Sequence, residues 1–140
     1  MITAVHPYLN FAGDASEAIA LYTEALGAEV VELMRWGQMP GGGDEIPAAL
    51  ADRVMHATLR IGEGTVMLSD MPPQFERRSG NHNHVILQCS DAADVDRIFA
   101  KLSVGGEPRM PPDDTFWNAR YAELVDRFGI GWKLNHSRAR

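Results

Sequence analysis

The chain has 140 residues and a mass of 15.4 kDa, enough for one domain or for two fused half-units that share a core. Hydrophobic residues make up 45% and charged residues 23% of it, which is ordinary globular usage and excludes a disordered chain or a fibre. The 13 basic and 19 acidic residues leave a net charge of −6 and a pI near 5.3, so no nucleic-acid partner is expected.

Cysteine usage and hydropathy exclude further classes of protein. Cys89 is the single cysteine, so the chain forms no internal disulfide, and we interpret Cys89 as a small core residue rather than a nucleophile. No window approaches the ~18 apolar residues of a membrane span, and residues 1–9 lack the pattern of a signal peptide. We therefore expect a cytoplasmic protein with no membrane partner.

The first predicted helix follows a short strand at Tyr8–Phe11. Asp14, with Glu17 three residues later, resembles a capping box in which Asp14 is the cap, and Gly27 ends the helix. Apolar residues recur at the three- and four-residue spacing of one helix face, which predicts a buried stripe. They are Ala15, Ala18, Ile19, Tyr22, Ala25 and Leu26.

Strand patterns follow this helix and complete a first β-α-β-β-β unit. In chain order, the sequence predicts a strand over 29–36, a loop over 37–53, and strands over 54–61 and 65–70. The loop surrounds Gly41–Gly43, which fits neither a phosphate-binding loop nor a dinucleotide fingerprint. The Gly62–Gly64 turn joins the last two strands as a hairpin.

The same order of elements returns after an exposed segment that contains Pro72 and Pro73. The sequence predicts a strand at Val85–Gln88 and then a helix that is capped by Asp91. The buried residues of this helix are expected to be Val95, Ile98, Phe99 and Leu102. A strand near 107–110, a loop with Pro111–Pro112, and strands over 119–126 and 131–135 follow. The capping residues Asp14 and Asp91 lie 77 residues apart, and this fixed offset indicates an internal duplication.

The two units predict an α+β fold in a single domain, with module one over 1–70, a linker over 71–82 and module two over 83–140. The modules would pair into a curved, mostly antiparallel sheet with both helices on its convex face. The concave face of such a sheet is where we expect a small-molecule ligand. Because the open edges of small sheets need cover, we also expect a homodimer.

Several motifs of the sequence are similar to those of a known family. They are His6–Phe11, Asp14 with Tyr22 and Leu26–Gly27, His56–Ile61, Met67–Asp70, Thr115–Trp117, Asp126–Gly129 and Trp132. Together with the paired β-α-β-β-β units, they resemble the vicinal oxygen chelate superfamily of glyoxalases, bleomycin-resistance proteins and extradiol dioxygenases, and more narrowly its PhnB-like branch. The resemblance covers nearly the whole chain and implies the glyoxalase/bleomycin-resistance fold.

The resemblance also implies where a metal ion would bind. In the superfamily, a His or Gln on the first strand of each unit and a carboxylate on each last strand hold the ion. His84 fits the first-strand position, but the matching residue of the first unit is Pro7, with His6 one residue away and on the opposite strand face. Lys133 stands at one carboxylate position and would repel a divalent ion, and the other last strand offers no carboxylate before Asp70. We therefore expect no cofactor and no tightly held metal, and His84 remains a weak metal candidate.

Strand alternation selects three candidate ligand-binding residues. His84 and Gln88 share the polar face of their strand, so they are predicted to face the cleft while the apolar face packs on the helix. His56 lies opposite the apolar face formed by Ala57 and Leu59, so its imidazole is predicted to face the cleft as well. An ordinary structural hydrogen bond is the alternative for both histidines.

Three further ligand-binding candidates lie in the last quarter of the chain. Trp117 and Tyr121 lie in or near the strand whose family counterpart lines the cavity, and their rings suit a flat ligand. An aromatic core or a dimer contact is the alternative for both. Lys133, if it faces the cavity, would pair with an anionic ligand or with Glu123, and it is otherwise a solvated lysine.

The function that these residues favour is binding of a small organic molecule in the cleft, with or without catalysis and without a tightly bound metal. One alternative is a metal-dependent lyase, isomerase or dioxygenase of the glyoxalase type, in which the ion polarises substrate oxygens. The other is a non-catalytic protein that sequesters small molecules, as the drug-resistance members of the superfamily do. Whether the chain is an enzyme stays open, because one fold hosts many activities.

Overall fold

The computed structural model describes residues 1–38 and 46–138, and the chain falls into two units, Met1–Arg78 and Ser79–Arg140. The boundary between the units lies inside the segment 71–82 that the sequence assigns to a linker. The predicted Gly41–Gly43 loop lies outside the described residues. The described strands form one four-stranded sheet in each unit rather than one continuous sheet, and that the two units act as one domain stays a prediction.

Each unit contains one long helix and four strands in the predicted order β-α-β-β-β. The first unit consists of β1 (Tyr8–Phe11), α1 (Ala15–Leu26), β2 (Glu29–Arg35), a 3₁₀ turn (Trp36–Gln38), α2 (Ala48–Ala51), β3 (Val54–Ile61) and β4 (Gly64–Asp70). The second consists of β5 (Val85–Gln88), α3 (Ala92–Leu102), β6 (Glu107–Asp114), β7 (Ala119–Val125) and β8 (Gly131–Ser137). The predicted loop over 37–53 therefore contains helical residues at both of its described ends.

The two sheets share one topology, which confirms the α+β fold class and the repeat. The strand order is β1-β4-β3-β2 in the first sheet and β5-β8-β7-β6 in the second. In each sheet the first strand of the unit pairs in parallel with the last, and the other pairs are antiparallel. Helix α1 packs on β3 and β4, and α3 packs on β6, β7 and β8. We call the opposite side of each sheet its distal face.

Apolar side chains of each helix and sheet form the core of each unit. Of the predicted α1 stripe, Leu26 is only half-buried, and Leu21 is buried in addition. Of the predicted α3 stripe, Phe99 is half-buried and the other residues are buried. Trp132 of β8 is fully buried on the helix side, so its neighbour Lys133 lies on the distal face. Within the described ranges, no helix has the length and apolar character needed to cross a membrane.

The cap of α1 differs from the one that the sequence predicts. Asp14 makes no side-chain bond to the helix N-terminus, because its backbone (φ −108°, ψ 18°) lacks the extended conformation of a capping residue. The buried Asp70, at the end of β4, does this instead. Its Oδ1 accepts from the backbone N–H groups of Gly13 (2.8 Å) and Ala15 (3.0 Å), and its Oδ2 accepts from that of Val54 (2.9 Å). The end of β4 therefore supplies the cap of α1.

The predicted cap of α3 is confirmed. Asp91 has an extended backbone (φ −135°, ψ 139°), and its Oδ1 accepts from the backbone N–H of Ala93 at 3.1 Å. The two helices thus begin in different ways, although the units share one topology.

Strand β6 is longer than predicted, because Pro111 and Pro112 lie within it rather than in a loop. Proline has no N–H to donate, but β6 is one of the two edge strands of its sheet. The pairing with β7 also shifts register between Met110 and Asp113, and this irregularity spans both prolines.

The Asp70 cap predicts a large and unequal effect of two aspartate substitutions. Replacing Asp70 with Ala leaves three N–H groups without a charged acceptor, so we expect Asp70→Ala to lower the free energy of unfolding by about 2–4 kcal/mol. Asp14→Ala, which removes a single bond from the Ala12 N–H, should cost less than about 1 kcal/mol. Urea denaturation of both variants measures the difference, and an Asp14→Ala loss equal to that of Asp70→Ala would contradict this assignment.

Candidate functional site

Cross-strand pairing on the second sheet determines which side chains share its distal face. Residues paired directly across neighbouring strands point to the same side of a sheet. One row consists of Ile86, Lys133, Glu123 and Met110, and the next consists of Gln88, Asn135, Tyr121 and Asp113. The predicted site residues Gln88, Tyr121 and Lys133 therefore lie together on the distal face of the second unit.

Lys133 is held between two partners on β7. Its Nζ lies 3.5 Å from Glu123 Oε1, and the side chain is 37% exposed. Tyr121, which hydrogen-bonds the ammonium, and then Glu123 raise the pKa of Lys133 above its ordinary value. The group is therefore charged at neutral pH. An ammonium has three N–H donors, and Glu123 and Tyr121 account for two of them.

Trp117 contacts Tyr121, which in turn hydrogen-bonds Lys133. The two rings meet edge to face, with centroids 6.1 Å apart, and Trp117 also meets the ring of Phe116 edge to face at 4.9 Å. Both Phe116 and Trp117 are exposed, at 96% and 54%. Trp117 thus lies beside the Lys133 group and is not a core residue, so the aromatic-core alternative is wrong for it.

Gln88 is held by a neighbouring amide. Asn135 Nδ2 donates to Gln88 Oε1 at 2.7 Å and also lies 3.3 Å from Ser137 Oγ. The Gln88 side chain is exposed, and its own NH₂ group is left for a further acceptor. Gln88 and Asn135 are therefore the polar residues next to Tyr121 in its cross-strand row on the distal face.

A pocket of about 460 Å³ lies within the second unit, next to Glu123. Its lining comes from three parts of the chain: the segment before β5, the start of β6, and the β7–β8 hairpin. The lining residues are Ser79, Gly80, Asn81, Asn83, His84, Glu107, Arg109, Glu123, Val125, Gly129 and Gly131. His84 is thus the predicted site residue that lines this pocket, and Lys133 adjoins it through Glu123.

His84 packs directly on the backbone of Gly131. A Cβ atom added to Gly131 would lie 2.7 Å from His84 Cδ2 and 3.2 Å from its Nε2, so the imidazole occupies the space that a side chain would fill. Neither ring nitrogen of His84 has a hydrogen-bond partner among residues 1–38 and 46–138, and the side chain is exposed. Its ring nitrogens are therefore available to hydrogen-bond a bound molecule.

The charges around the pocket are arranged in two ion pairs. Arg109 Nη2 lies 3.4 Å from Glu107 Oε2 on β6, and Lys133 lies 3.5 Å from Glu123. The first pair is largely exposed, whereas Glu123 is only 21% exposed. Solvent therefore screens the Arg109–Glu107 pair more strongly than the Lys133–Glu123 pair.

His56 lies in the first unit and makes hydrogen-bond contacts of the kind expected if this histidine has a structural role rather than a ligand-binding one. Its Nε2 lies 3.0 Å from Thr58 Oγ1, and its Nδ1 lies 3.4 Å from the Tyr8 hydroxyl, with the two rings 5.9 Å apart. Ala57 is buried, so His56 lies on the distal face as predicted. These contacts hold the ring in one orientation on the first sheet.

Cys89 is half-buried and follows β5 on its helix side. Burial raises the pKa of the Cys89 thiol, and the Asp94 carboxylate raises it further. A raised pKa reduces the thiolate fraction, which is the reactive form. The structure therefore agrees with a packing role for Cys89.

The residues present do not fit the metal that the resemblance implies. On the distal face of the first unit, β1 presents Tyr8 and Asn10 and β4 presents Met67 and Ser69, and this set contains no imidazole or carboxylate. In the second unit Lys133 is ion-paired at the carboxylate position. No three His, Cys, Asp or Glu side chains come together in a metal-holding group within the described part of the chain. The absence of a bound metal from the working protein stays a prediction.

Sequence reasoning missed Glu107, Arg109, Gly131 and the segment before β5. Glu107 is the direct cross-strand partner of Val125, and Val125 is that of Gly131. Counting along these pairs identifies the row that lines the pocket. Alternation along β6 indicates that Glu107 and Arg109 share one face of the strand. Which residues of β7 lie opposite them depends on the register between the two strands, which one strand alone does not determine.

Comparison with known proteins identifies the family. Residues 4–134 match the family model of the Glyoxalase/Bleomycin resistance protein/Dioxygenase superfamily. Protein YjdN of Escherichia coli strain K12 is 31% identical over 136 residues, which cover 92% of both chains. The crystal structure of protein PA1353 from Pseudomonas aeruginosa has a TM-score of 0.86 and 31% identity, covering 99% of this chain and 100% of that one.

A PhnB protein from Bacillus cereus shares the fold at lower similarity. It has a TM-score of 0.75 and 24% identity, and the match covers 96% of this chain and 100% of that one. The resemblance drawn from the sequence motifs is therefore confirmed at the level of the superfamily. The chain belongs to the Glyoxalase/Bleomycin resistance protein/Dioxygenase superfamily.

Proposed function

We propose that the second unit binds a small organic molecule that carries a carbonyl or carboxylate oxygen, in the pocket beside Lys133. The pocket carries this proposal, because its volume of about 460 Å³ is that of a small-molecule site. Polar groups of several kinds converge on it, among them the imidazole of His84 and the carboxylate of Glu123. Such a combination fixes the orientation of a ligand.

Lys133 is the group that selects the oxygen. Glu123 and Tyr121 occupy two of its donors and hold the ammonium in place, so the third donor is preorganised for an acceptor on the ligand. The adjoining ring of Trp117 offers an apolar surface for the rest of the molecule. His84 lines the same pocket two residues before Ile86, the direct strand partner of Lys133, so its ring can hydrogen-bond a bound molecule.

Binding without a metal ion follows from the same groups. In this proposal the charge that polarises the ligand oxygen is the Lys133 ammonium, and His84 is the only imidazole among the residues that line the pocket. Recovery of unchanged ligand after incubation distinguishes a sequestering protein from an enzyme.

We further propose that the protein is a cytoplasmic homodimer. Each sheet has two edge strands, β1 and β2 in the first and β5 and β6 in the second, and each of these has one side without a strand partner within residues 1–38 and 46–138. The exposed ring of Phe116, between β6 and β7, adds apolar surface that a second copy would cover. Light scattering coupled to size-exclusion chromatography gives the mass, and a 15.4 kDa species at micromolar concentration would contradict the dimer.

The ligand proposal predicts a thermal shift that depends on Lys133. In a screen of small carboxylates and ketones, a specific ligand at 100 times its Kd should raise the Tm by roughly 5–10 °C. Lys133→Met removes the charged donor, so we expect the affinity to fall by about 10- to 100-fold. Arg60→Met, which removes one positive charge from the first unit, is the matched control and should leave the affinity unchanged. Equal affinities for wild type and Lys133→Met would contradict the assignment of Lys133.

Gly131→Ala tests the role of His84 without changing a charge. The added methyl group would overlap the exposed imidazole, which can move at little cost, so we expect a stability change below about 1 kcal/mol. The His84 ring resonances in a ¹H–¹³C NMR spectrum should shift, and the affinity for the ligand should fall about tenfold. Gly64→Ala is the control, because its nearest contact is 3.5 Å away. An unmoved His84 signal would show that the packing on Gly131 is not present in solution.

A further inference from the structure

We infer that Lys133 is a built-in cation that keeps divalent metal ions out of the second-unit pocket. The inference rests on the proposed function, because it concerns the same pocket and the same lysine. According to this inference, one residue determines whether the pocket binds a metal ion or a metal-free organic ligand.

The pocket contains the donor types that divalent transition metals prefer. An imidazole, from His84, and two carboxylates, from Glu107 and Glu123, line one cavity of about 460 Å³. His84 has no hydrogen-bond partner in the described part of the chain, so its nitrogens are available. These donors line one cavity, but within the described part of the chain they do not come together as a metal-holding group.

Each of the two carboxylates is paired with a positively charged side chain, and these cations oppose metal binding. Lys133 Nζ lies 3.5 Å from Glu123 Oε1, and Arg109 Nη2 lies 3.4 Å from Glu107 Oε2. A divalent ion bound by Glu123 would lie within a few ångströms of the ammonium, and the two like charges would repel each other.

The two cations are not equivalent in this role. Arg109 and Glu107 are 54% and 63% exposed, so water and salt screen their charges. Lys133 and Glu123 are 37% and 21% exposed, and Tyr121 also holds the ammonium in place. The repulsion that a metal ion would meet therefore comes mainly from Lys133. Because Lys133 pairs directly with Glu123 across β7 and β8, a carboxylate at position 133 would lie beside the Glu123 carboxylate.

Titration of tag-free protein with Zn²⁺ and Mn²⁺ alone, followed by calorimetry and by elemental analysis after desalting, tests this inference. Wild type should bind neither ion at one equivalent. Lys133→Glu should bind one ion at least about 100-fold more tightly than wild type, because the change removes the repulsion and adds a donor. Adding His84→Ala or Glu123→Gln to Lys133→Glu should abolish the gain.

Two control variants separate Lys133 from a general charge effect. Lys133→Arg keeps the positive charge and should bind metal as weakly as wild type. Arg109→Glu makes the same change of charge at the exposed pair and should strengthen metal binding by less than about tenfold. An equal gain in Arg109→Glu and Lys133→Glu would overturn the inference, because net charge would then explain both.

Other outcomes overturn it directly. The inference fails if wild type binds one equivalent of either ion through His84 and Glu123, or if Lys133→Glu binds no better than Lys133→Arg. Should Lys133→Glu not fold, Lys133→Gln frees Glu123 without adding a charge, and its affinity should rise about tenfold above wild type. Wild-type affinity in Lys133→Gln overturns the inference. Because these titrations contain no organic ligand, failure of the ligand screen with a normal metal gain would reject the proposed function alone.

Discussion

The carboxylate of Asp126 is the interaction on which the second unit's site depends. This buried group accepts from the backbone N–H of Phe128 (2.9 Å) and Ile130 (3.1 Å) with one oxygen, and from the indole N–H of Trp132 (2.9 Å) with the other. It therefore fixes the turn between β7 and β8 and the position of the buried Trp132 ring at the start of β8. A slip of one residue in this hairpin would turn Lys133 into the core, so the bonds to Asp126 set the face on which the site is built.

The first unit uses a buried aspartate for a different purpose. Asp70 joins the end of β4 to the start of α1 and to the first residue of β3, and it plays no part in a turn. The distal faces differ as well, since the first carries the His56–Thr58–Tyr8 contacts and the second carries Lys133 with Glu123. The repeat thus preserves topology and core, while polar contacts have diverged in each half.

Local patterns were sufficient to predict most of the fold. The helix stripes, the hairpin at Gly62 and the strand Val85–Gln88 all depend on residues close in sequence, and the structure agrees with them. The Asp70 cap could not be predicted in this way, because the carboxylate lies 55 residues from the N–H of Ala15. The placement of Pro111 in β6 depends on the strand order, since only an edge strand accepts a proline readily.

The site was predictable to the extent that it follows from alternation along single strands. From the sequence, His84 and Gln88 are assigned to the cleft because every second residue of a strand points the same way, whereas Lys133 is left with two alternatives, a place in the cavity or in solvent. The contact of His84 with Gly131 and the pocket wall at Glu107 depend instead on register between strands. Register is set by tertiary contacts such as those of Asp126, and it has no local signal in the sequence.

The distant cap of α1 has a consequence for the order in which the chain acquires structure during synthesis. On the ribosome, the segment that becomes α1 emerges long before Asp70, so its first turn must wait for some 55 further residues before its N–H groups find their carboxylate. The segment that becomes α3 carries Asp91 at its own start and needs no such delay. The cap of the earlier helix should therefore form late, whereas the cap of the later helix emerges together with its own helix.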